Sequence, residues 1–267
     1  MTSHAGEKWY RTETALGARH CVGRGDELIV VDGSPFGAWK PTGERLALSS
    51  ARLLPPVIPP TFYAIGSNYR QHIEKMAATA GRAPVYYERP RVGYRANNAL
   101  VGDGDAIVKP ADAGEEFQYE AELVAVVGET LRNVTPARAR DAIFGWTIGN
   151  DVSERHWQKI DQTNIRAKNC DTFKPMGPCI ARLADLSGMR TKVTMNGVLL
   201  HDFDTLDMLF DAGEVISEIS RYNTLSPGDV VWLGTDDKPR NMKPGDRLEI
   251  EITGIGVLRN HVVAASA

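Results

Sequence analysis

Three acidic residues stand out by position: Glu120 and Glu122 in Tyr119-Glu-Ala-Glu-Leu-Val-Ala-Val-Val-Gly128, and Asp151 after Gly145-Trp-Thr-Ile-Gly-Asn150. Side chains alternate along a strand, so Glu120 and Glu122 share one face. The residues that follow are apolar at both parities, the pattern of a strand buried on both sides. Two carboxylates at the mouth of such a strand repel each other. One takes up a proton, or a cation sits between them. Asp151, closing a second strand, completes an all-oxygen set that suits Mg²⁺, Mn²⁺ or Ca²⁺ rather than Zn²⁺. Three protein ligands leave about three positions on an octahedral ion, enough for a chelating substrate and a water. On spacing alone a plainer arrangement is commoner: two solvated glutamates on an exposed strand face, with Asp151 in a turn.

The elements that must position these residues are short. Thr61–Gly66 reads as a strand, and Tyr69 to Ala80 as a helix with Ile73, Met76, Ala77 and Ala80 at helical spacing and Gly81 as its stop. Tyr119–Val127 is a strand. Thr135-Pro136 caps a helix that runs to Phe144 and stops at Gly145, followed by a strand over Trp146–Asn150. Asn196-Gly197 between apolar flanks is a hairpin turn. A helix covers Glu214–Tyr222, and Pro-Gly-Asp turns at 227–229 and 244–246 launch the strands Val230–Gly234 and Arg247–Ile252. Strands outnumber helices without a regular βαβ alternation, so the expected class is mostly β, or α+β. Leu53-Leu-Pro-Pro-Val-Ile-Pro-Pro-Thr61 enforces an extended stretch. It divides a small β-rich N-terminal unit, 1–58, from a main domain, 59–267.

Composition removes several function classes. With 42% hydrophobic and 24% charged residues in 267, the chain is expected to fold rather than stay disordered. A net charge of −3 gives no electrostatic reason to bind nucleic acid. The longest apolar run, near Leu123–Val127, is strand-sized, so no membrane span is expected. The first ten residues lack an apolar core, and Cys21, Cys170 and Cys179 show no CxxC spacing. Both point to a cytoplasmic protein with reduced thiols and no leader.

Seven segments in order carry a resemblance. They are Ala64-Ile-Gly-Ser-Asn-Tyr-Arg-Gln-His72, Tyr119-Glu-Ala-Glu-Leu123, Gly145 to Arg155, Lys168-Asn-Cys-Asp-Thr-Phe-Lys-Pro-Met-Gly-Pro178, Val193-Thr-Met-Asn-Gly-Val198, Leu225-Ser-Pro-Gly-Asp-Val230 and Gly254-Ile-Gly-Val-Leu-Arg-Asn260. Together they resemble the fumarylacetoacetate hydrolase family from about residue 60 onward, and the N-terminal unit resembles a small domain many members carry. The resemblance implies a mixed β-sandwich roll with short helices, usually a homodimer, with one divalent ion per site. It places Glu120, Glu122 and Asp151 on the metal ligands and Lys168 on the active-site lysine. It places Arg155, Gln158 and Thr235 on substrate contacts, and His72 on the general base. The implied activity is hydrolysis of a C–C bond in a 2,4-diketo acid such as an acylpyruvate, leaving an enolate at the ion. Decarboxylation, keto–enol isomerisation or lysis of a related 2-oxo acid uses the same electron sink. A silent relative that binds a small acid or a protein is the remaining alternative.

The chain departs from the family pattern at three places. Many small members carry a glutamate three residues after the histidine; here that position is Lys75. Glu74 lies about 200° around the helix from His72. Gly234-Thr-Asp-Asp-Lys-Pro-Arg-Asn241 stands where a Gly-rich turn is frequent, which puts forward Asp236 and Asp237 as acids. Arg89 stands where a lysine before a proline is common.

Overall fold

The structure, a computed structural model, describes residues 6–236 and 239–266. Among these residues the fold is mostly β. An eleven-stranded mixed sheet runs Trp39–Ala47, Glu27–Gly33, Gly17–Arg24, Lys8–Thr14, Lys174–Ala181, Ile143–Asn150, Ala121–Val127, Val230–Trp232, Phe62–Ile65 and Val92–Tyr94. Leu100–Val101 joins it alongside Lys174–Ala181. A five-stranded sheet, built around the Asn196-Gly197 hairpin and the strands Arg247–Ile252 and Gly256–Ala264, packs against it. Five short helices decorate the two sheets: α1 (Arg70–Thr79), α2 (Pro136–Asp141), α3 (Arg155–Ile160), α4 (Ile165–Asn169) and α5 (Ala212–Ser220). No helix among the described residues is long and apolar enough to cross a membrane.

The Ala121–Val127 strand lies at the centre, and all seven of its residues are buried. Leu123, Ala125 and Val127 pack into the cluster that holds Val215, Ile216 and Ile219 of α5. Val124 and Val126 pack on the other face with Trp9, Phe62 and Trp232. Glu120 and Glu122 extend this second, even-numbered row toward the strand mouth, so the expected parity holds. Its partner strand Ile143–Asn150 pairs antiparallel with Ala121 opposite Asn150.

Several elements differ in extent from the sequence expectation. The helix after Pro136 stops at Asp141 rather than Phe144, because Ile143 is captured by the ladder opposite Val127 and the Gly128 N–H donates to Ala142 O. The Thr135 cap and the proline at the first helical position are as expected. The central strand starts at Ala121, not Tyr119. Beyond it the ladder is continued by other bonds: Glu120 N–H donates to Asn150 Oδ1 at 3.1 Å, and Asp151 N–H to Glu120 O at 2.9 Å. That exchange sets Glu120 and Asp151 side by side. In α1 only Ile73 and Ala77 of the expected apolar stripe are buried; Met76 is 56% exposed.

Gly149 shows how tightly the strand ends are packed. A Cβ there would fall 2.6 Å from the buried Trp232 ring, which has no free end to swing away. Gly149→Ala is expected to destabilise the protein by about 1–3 kcal/mol. Thermal unfolding should show this as a Tm lowered by several degrees; an unchanged Tm would mean that the ring relocates freely.

Candidate active site

The ends of the two central strands, α4 and the turn at Gly234 converge. Glu120, Glu122 and Asp151 each offer a carboxylate oxygen, all within 4.8 Å of one another, and all three residues are buried. α4 starts after Asn164, whose left-handed backbone (φ 55°) reverses the chain, and Asp161 Oδ2 accepts from the Arg166 N–H at 2.8 Å. This delivers Lys168 into the interior at 5% exposure. Its ammonium bridges the carboxylates, with Nζ 2.6 Å from Glu120 Oε2 and 2.8 Å from Asp151 Oδ2. Arg155, at the start of α3, places Nη1 2.7 Å from Glu120 Oε1. Its guanidinium is held by Gln118 Oε1 at 2.8 Å and Gln158 Oε1 at 3.0 Å.

Two further cations reach Asp151, and the sequence reading missed both. Arg95 forks onto it, Nη2 to Oδ2 at 2.7 Å and Nε to Oδ1 at 3.1 Å. The Ala96 N–H donates to Asn169 Oδ1 at 2.8 Å, which ties the Arg95 segment to the end of α4. Lys174, fully buried, puts Nζ 2.7 Å from Asp151 Oδ1. Arg89, which stands where a lysine before a proline is common, is a surface residue bonded to Glu218 and Tyr222. Those partners lie on and beside α5.

The electrostatics follow from these contacts. Burial raises the pKa of Glu120, but the charges of Arg155 and Lys168 more than reverse this and bring it down to about 2. Asp151 is likewise held well below the usual carboxylate range, because Arg95, Lys168 and Lys174 together outweigh its burial. Glu122 is the odd one out. Among the described residues no ammonium or guanidinium pairs with it; its Oε2 accepts only the Gly234 N–H, at 2.8 Å. Burial, then the charges of Asp151 and Glu120, push its pKa up to about 8. Gly234 has φ +82°, a backbone state that suits glycine and aims this N–H inward.

A hard divalent cation fits this set. The donors are all carboxylate oxygens, they already converge, and one of them is protonated only because it is buried against two like charges. An ion held by these three carboxylates would displace Glu122's proton. Because the folded protein holds that proton up to about pH 8, Mn²⁺ affinity is expected to rise with pH from the carboxylate range to pH 8 and level off above it. The slope should approach about tenfold per pH unit. Titration calorimetry in buffers of different ionisation enthalpy should count one proton released per ion at pH 7. A flat affinity between pH 5.5 and 8 would remove Glu122 from the ligand set.

The other expected site residues are Thr235, Gln158 and His72. Thr235 is buried and directly follows Gly234. Gln158 is exposed and oriented by Arg155. His72 is half-buried on α1. The position of α1 is fixed by the buried Asn68, whose Nδ2 donates to Leu233 O and Phe210 O while its Oδ1 accepts the Phe210 N–H. One side chain thus ties the start of α1 to the turn that bonds Glu122. Lys75 Nζ lies 3.8 Å from Asp236 Oδ1, a carboxylate only 5% exposed. Burial raises the pKa of Asp236, against the charges of Lys75, His201 and His72. Glu74 faces away and accepts from the Tyr86 hydroxyl. Asp237 lies outside the described residues.

The molecule is mostly β, and its buried strand ends gather three carboxylates that could hold a metal ion around a buried lysine. Residues 61–263 match the family model described as fumarylacetoacetate (FAA) hydrolase C-terminal, and residues 7–56 match Rv2993c-like, N-terminal. The chain belongs to the fumarylacetoacetate hydrolase family. It is 29% identical over 277 residues to the oxaloacetate tautomerase YisK of Bacillus subtilis, covering 97% of this chain and 90% of that one. Its fold is similar to that of a 5-carboxymethyl-2-hydroxymuconate delta-isomerase from Mycobacterium smegmatis (TM-score 0.86, 34% identity, 97% and 100% of the two chains). It is also similar to a maleylpyruvate hydrolase from Sphingobium sp. SYK-6, in complex with manganese(II) ion and pyruvate (TM-score 0.78, 25% identity, 97% and 100%). The relatives named are enzymes, and none of the three shares the reaction of another.

Proposed function

We propose that the protein is a divalent-metal-dependent hydrolase that cleaves a C–C bond in a 2,4-diketo acid of the acylpyruvate type. The observation that carries this reading is the convergence of Glu120, Glu122 and Asp151 within 4.8 Å, beside the ammonium of Lys168. These three carboxylates would hold Mg²⁺, or Mn²⁺ or Ca²⁺ in its place. When bound, the ion is a Lewis acid for the oxygens of a 2-oxo acid.

The chain's own groups supply the rest. Arg155, with its fork already oriented by Gln118 and Gln158, and Thr235 face the substrate's carboxylate. Lys168 places a positive charge where negative charge develops, in a site shielded from water. The imidazole of His72 takes a proton from water, whose oxygen adds to the carbonyl remote from the carboxylate. The bond between that carbon and its inner neighbour then breaks. One product leaves as a carboxylic acid, and the electron pair stays on the other as an enolate that is protonated to a 2-oxo acid. In this reading residues 59–267 carry the chemistry, 1–58 buttress it, and the protein works as a cytoplasmic homodimer on a small-molecule acid.

A second reading keeps the site and omits the water attack: a tautomerase, decarboxylase or lyase on a related 2-oxo acid. The Lys75–Asp236 pair favours it, because the position on α1 that would support His72 with a carboxylate carries a cation already committed elsewhere. Incubation of acylpyruvates and oxaloacetate with protein and Mg²⁺, with products followed by NMR, separates the two. Cleavage into two acids supports hydrolysis; CO₂ release or keto–enol equilibration alone supports the second reading. Turnover indifferent to EDTA would overturn both.

A further inference from the structure

Asp151 carries more positive charge than its own ionisation requires. Lys168 and Arg95 meet Oδ2, and Arg95 and Lys174 meet Oδ1, all within 3.2 Å. Lys174 is entirely buried, and its remaining donors go to Val152 O at 3.1 Å and Phe173 O at 2.9 Å. Among the described residues Asp151 is the carboxylate with which it forms an ion pair. Arg95 is nearly as enclosed, its side chain 11% exposed. Around the three carboxylates stand four cations, Arg95, Arg155, Lys168 and Lys174. With every group ionised, the protein's own charges leave the bare site one positive charge in excess. An oxygen site gains ion affinity from the negative charge of its ligands. Here that charge is cancelled before any ion arrives.

We propose that Lys174 and Arg95 are internal counter-cations that keep the affinity of the bare site for divalent ions low, so that an ion and a chelating dianion bind as a pair. This rests on the ion site of the proposed function and adds to it an order of energetic dependence. A divalent ion entering alone raises an existing positive excess in a site of low dielectric. A dicarboxylic acid that chelates the ion brings two negative charges and removes most of that excess. By linkage, each ligand then raises the affinity of the other by one factor. Lys174 contributes through Asp151, without touching the substrate.

The test is equilibrium binding of Mn²⁺, followed by the EPR signal of the free ion, with oxalate as the chelating dianion and acetate as a non-chelating control. The affinities are corrected for complexes formed in solution. For the wild-type protein, saturating oxalate should tighten Mn²⁺ at least about tenfold, within the 5–150-fold range usual for coupled sites; acetate should not. In Lys174→Gln, which keeps donors for the two carbonyls but removes the charge, Mn²⁺ alone should bind at least about tenfold more tightly and the oxalate effect should shrink. Arg95→Gln should shift both in the same direction, and serves where Lys174→Gln does not fold. Mn²⁺ that binds the wild type equally with and without oxalate overturns this inference and leaves the ion site standing. Equal Mn²⁺ affinity in wild type and folded variants does the same. Failure of Mn²⁺ to bind under any of these conditions overturns the ion site and this inference together.

Discussion

Glu122→Gln should lose divalent-ion binding and about a thousandfold in turnover while remaining folded. The carboxylate is one of three that converge, and glutamine keeps its shape but offers an ion only a neutral amide oxygen. Losing the ion forfeits several kcal/mol of transition-state stabilisation, and each 1.36 kcal/mol is a factor of ten. The fold should survive because the wild-type group is held against its preference. Its folded pKa of about 8 lies above the usual glutamate value. As pH rises toward 8, the unfolded chain loses this proton first, so ionisation costs the ion-free protein stability. The glutamine avoids that cost. Above pH 8, without ion, the variant should therefore melt at or above the wild-type temperature. Glu120→Gln is the contrasting control. Glu120 is the counter-charge of both Lys168 and Arg155, and removing one partner of a buried pair costs about 3–5 kcal/mol. If Glu122→Gln binds Mn²⁺ as the wild type does, the carboxylate trio is not a ligand set.

Lys168→Met should lower kcat by about 10²–10³-fold at saturating ion, the usual loss when one group facing developing charge is removed. The same variant should be markedly less stable without ion, because Glu120 and Asp151 lose the ammonium that bridges them. Added Mn²⁺ should then raise its Tm by more than it raises that of the wild type, since the ion replaces the missing positive charge. Steady-state kinetics and thermal unfolding with and without Mn²⁺ distinguish the two effects. Wild-type kcat in this variant would remove Lys168 from the chemistry.

The carboxylate trio was legible in the sequence because strand parity is local. Glu120, Glu122, Val124 and Val126 form one row whatever the tertiary fold, and Asp151 ends the next strand. What parity could not give was the choice between a solvated face and a buried site, which rests on the covering of both sheet faces by Trp9, Trp232 and α5. Lys168 was found only through its ordered motif. Lys174 lies six residues later in the same motif and was passed over. A lysine inside a strand gives no hint that its Nζ will find an aspartate 23 positions earlier in the chain. Arg95 sits in an irregular stretch without periodicity, held there by a side-chain bond from Asn169. The Gly234 N–H is invisible to any residue-type argument, because every residue but proline carries one. The overlong second helix arose from a different competition: Ile143 and Phe144 suit a helix locally, but pairing with the central strand claims them.

The pairing of Lys8–Thr14 with Lys174–Ala181 has a consequence for how the protein can be dissected. The outer margin of Lys174–Ala181 is covered in two pieces, by Leu100–Val101 at one end and by Lys8 and Trp9 at the other. Every residue of that strand is buried. A shortened version beginning near residue 59 would leave half of an apolar ladder with open hydrogen-bonding groups and an empty slot where the Trp9 indole sat. Such a margin invites another chain to dock along it. The excised portion should therefore clump in solution, and the strand that bears Lys174 would be the one to stick.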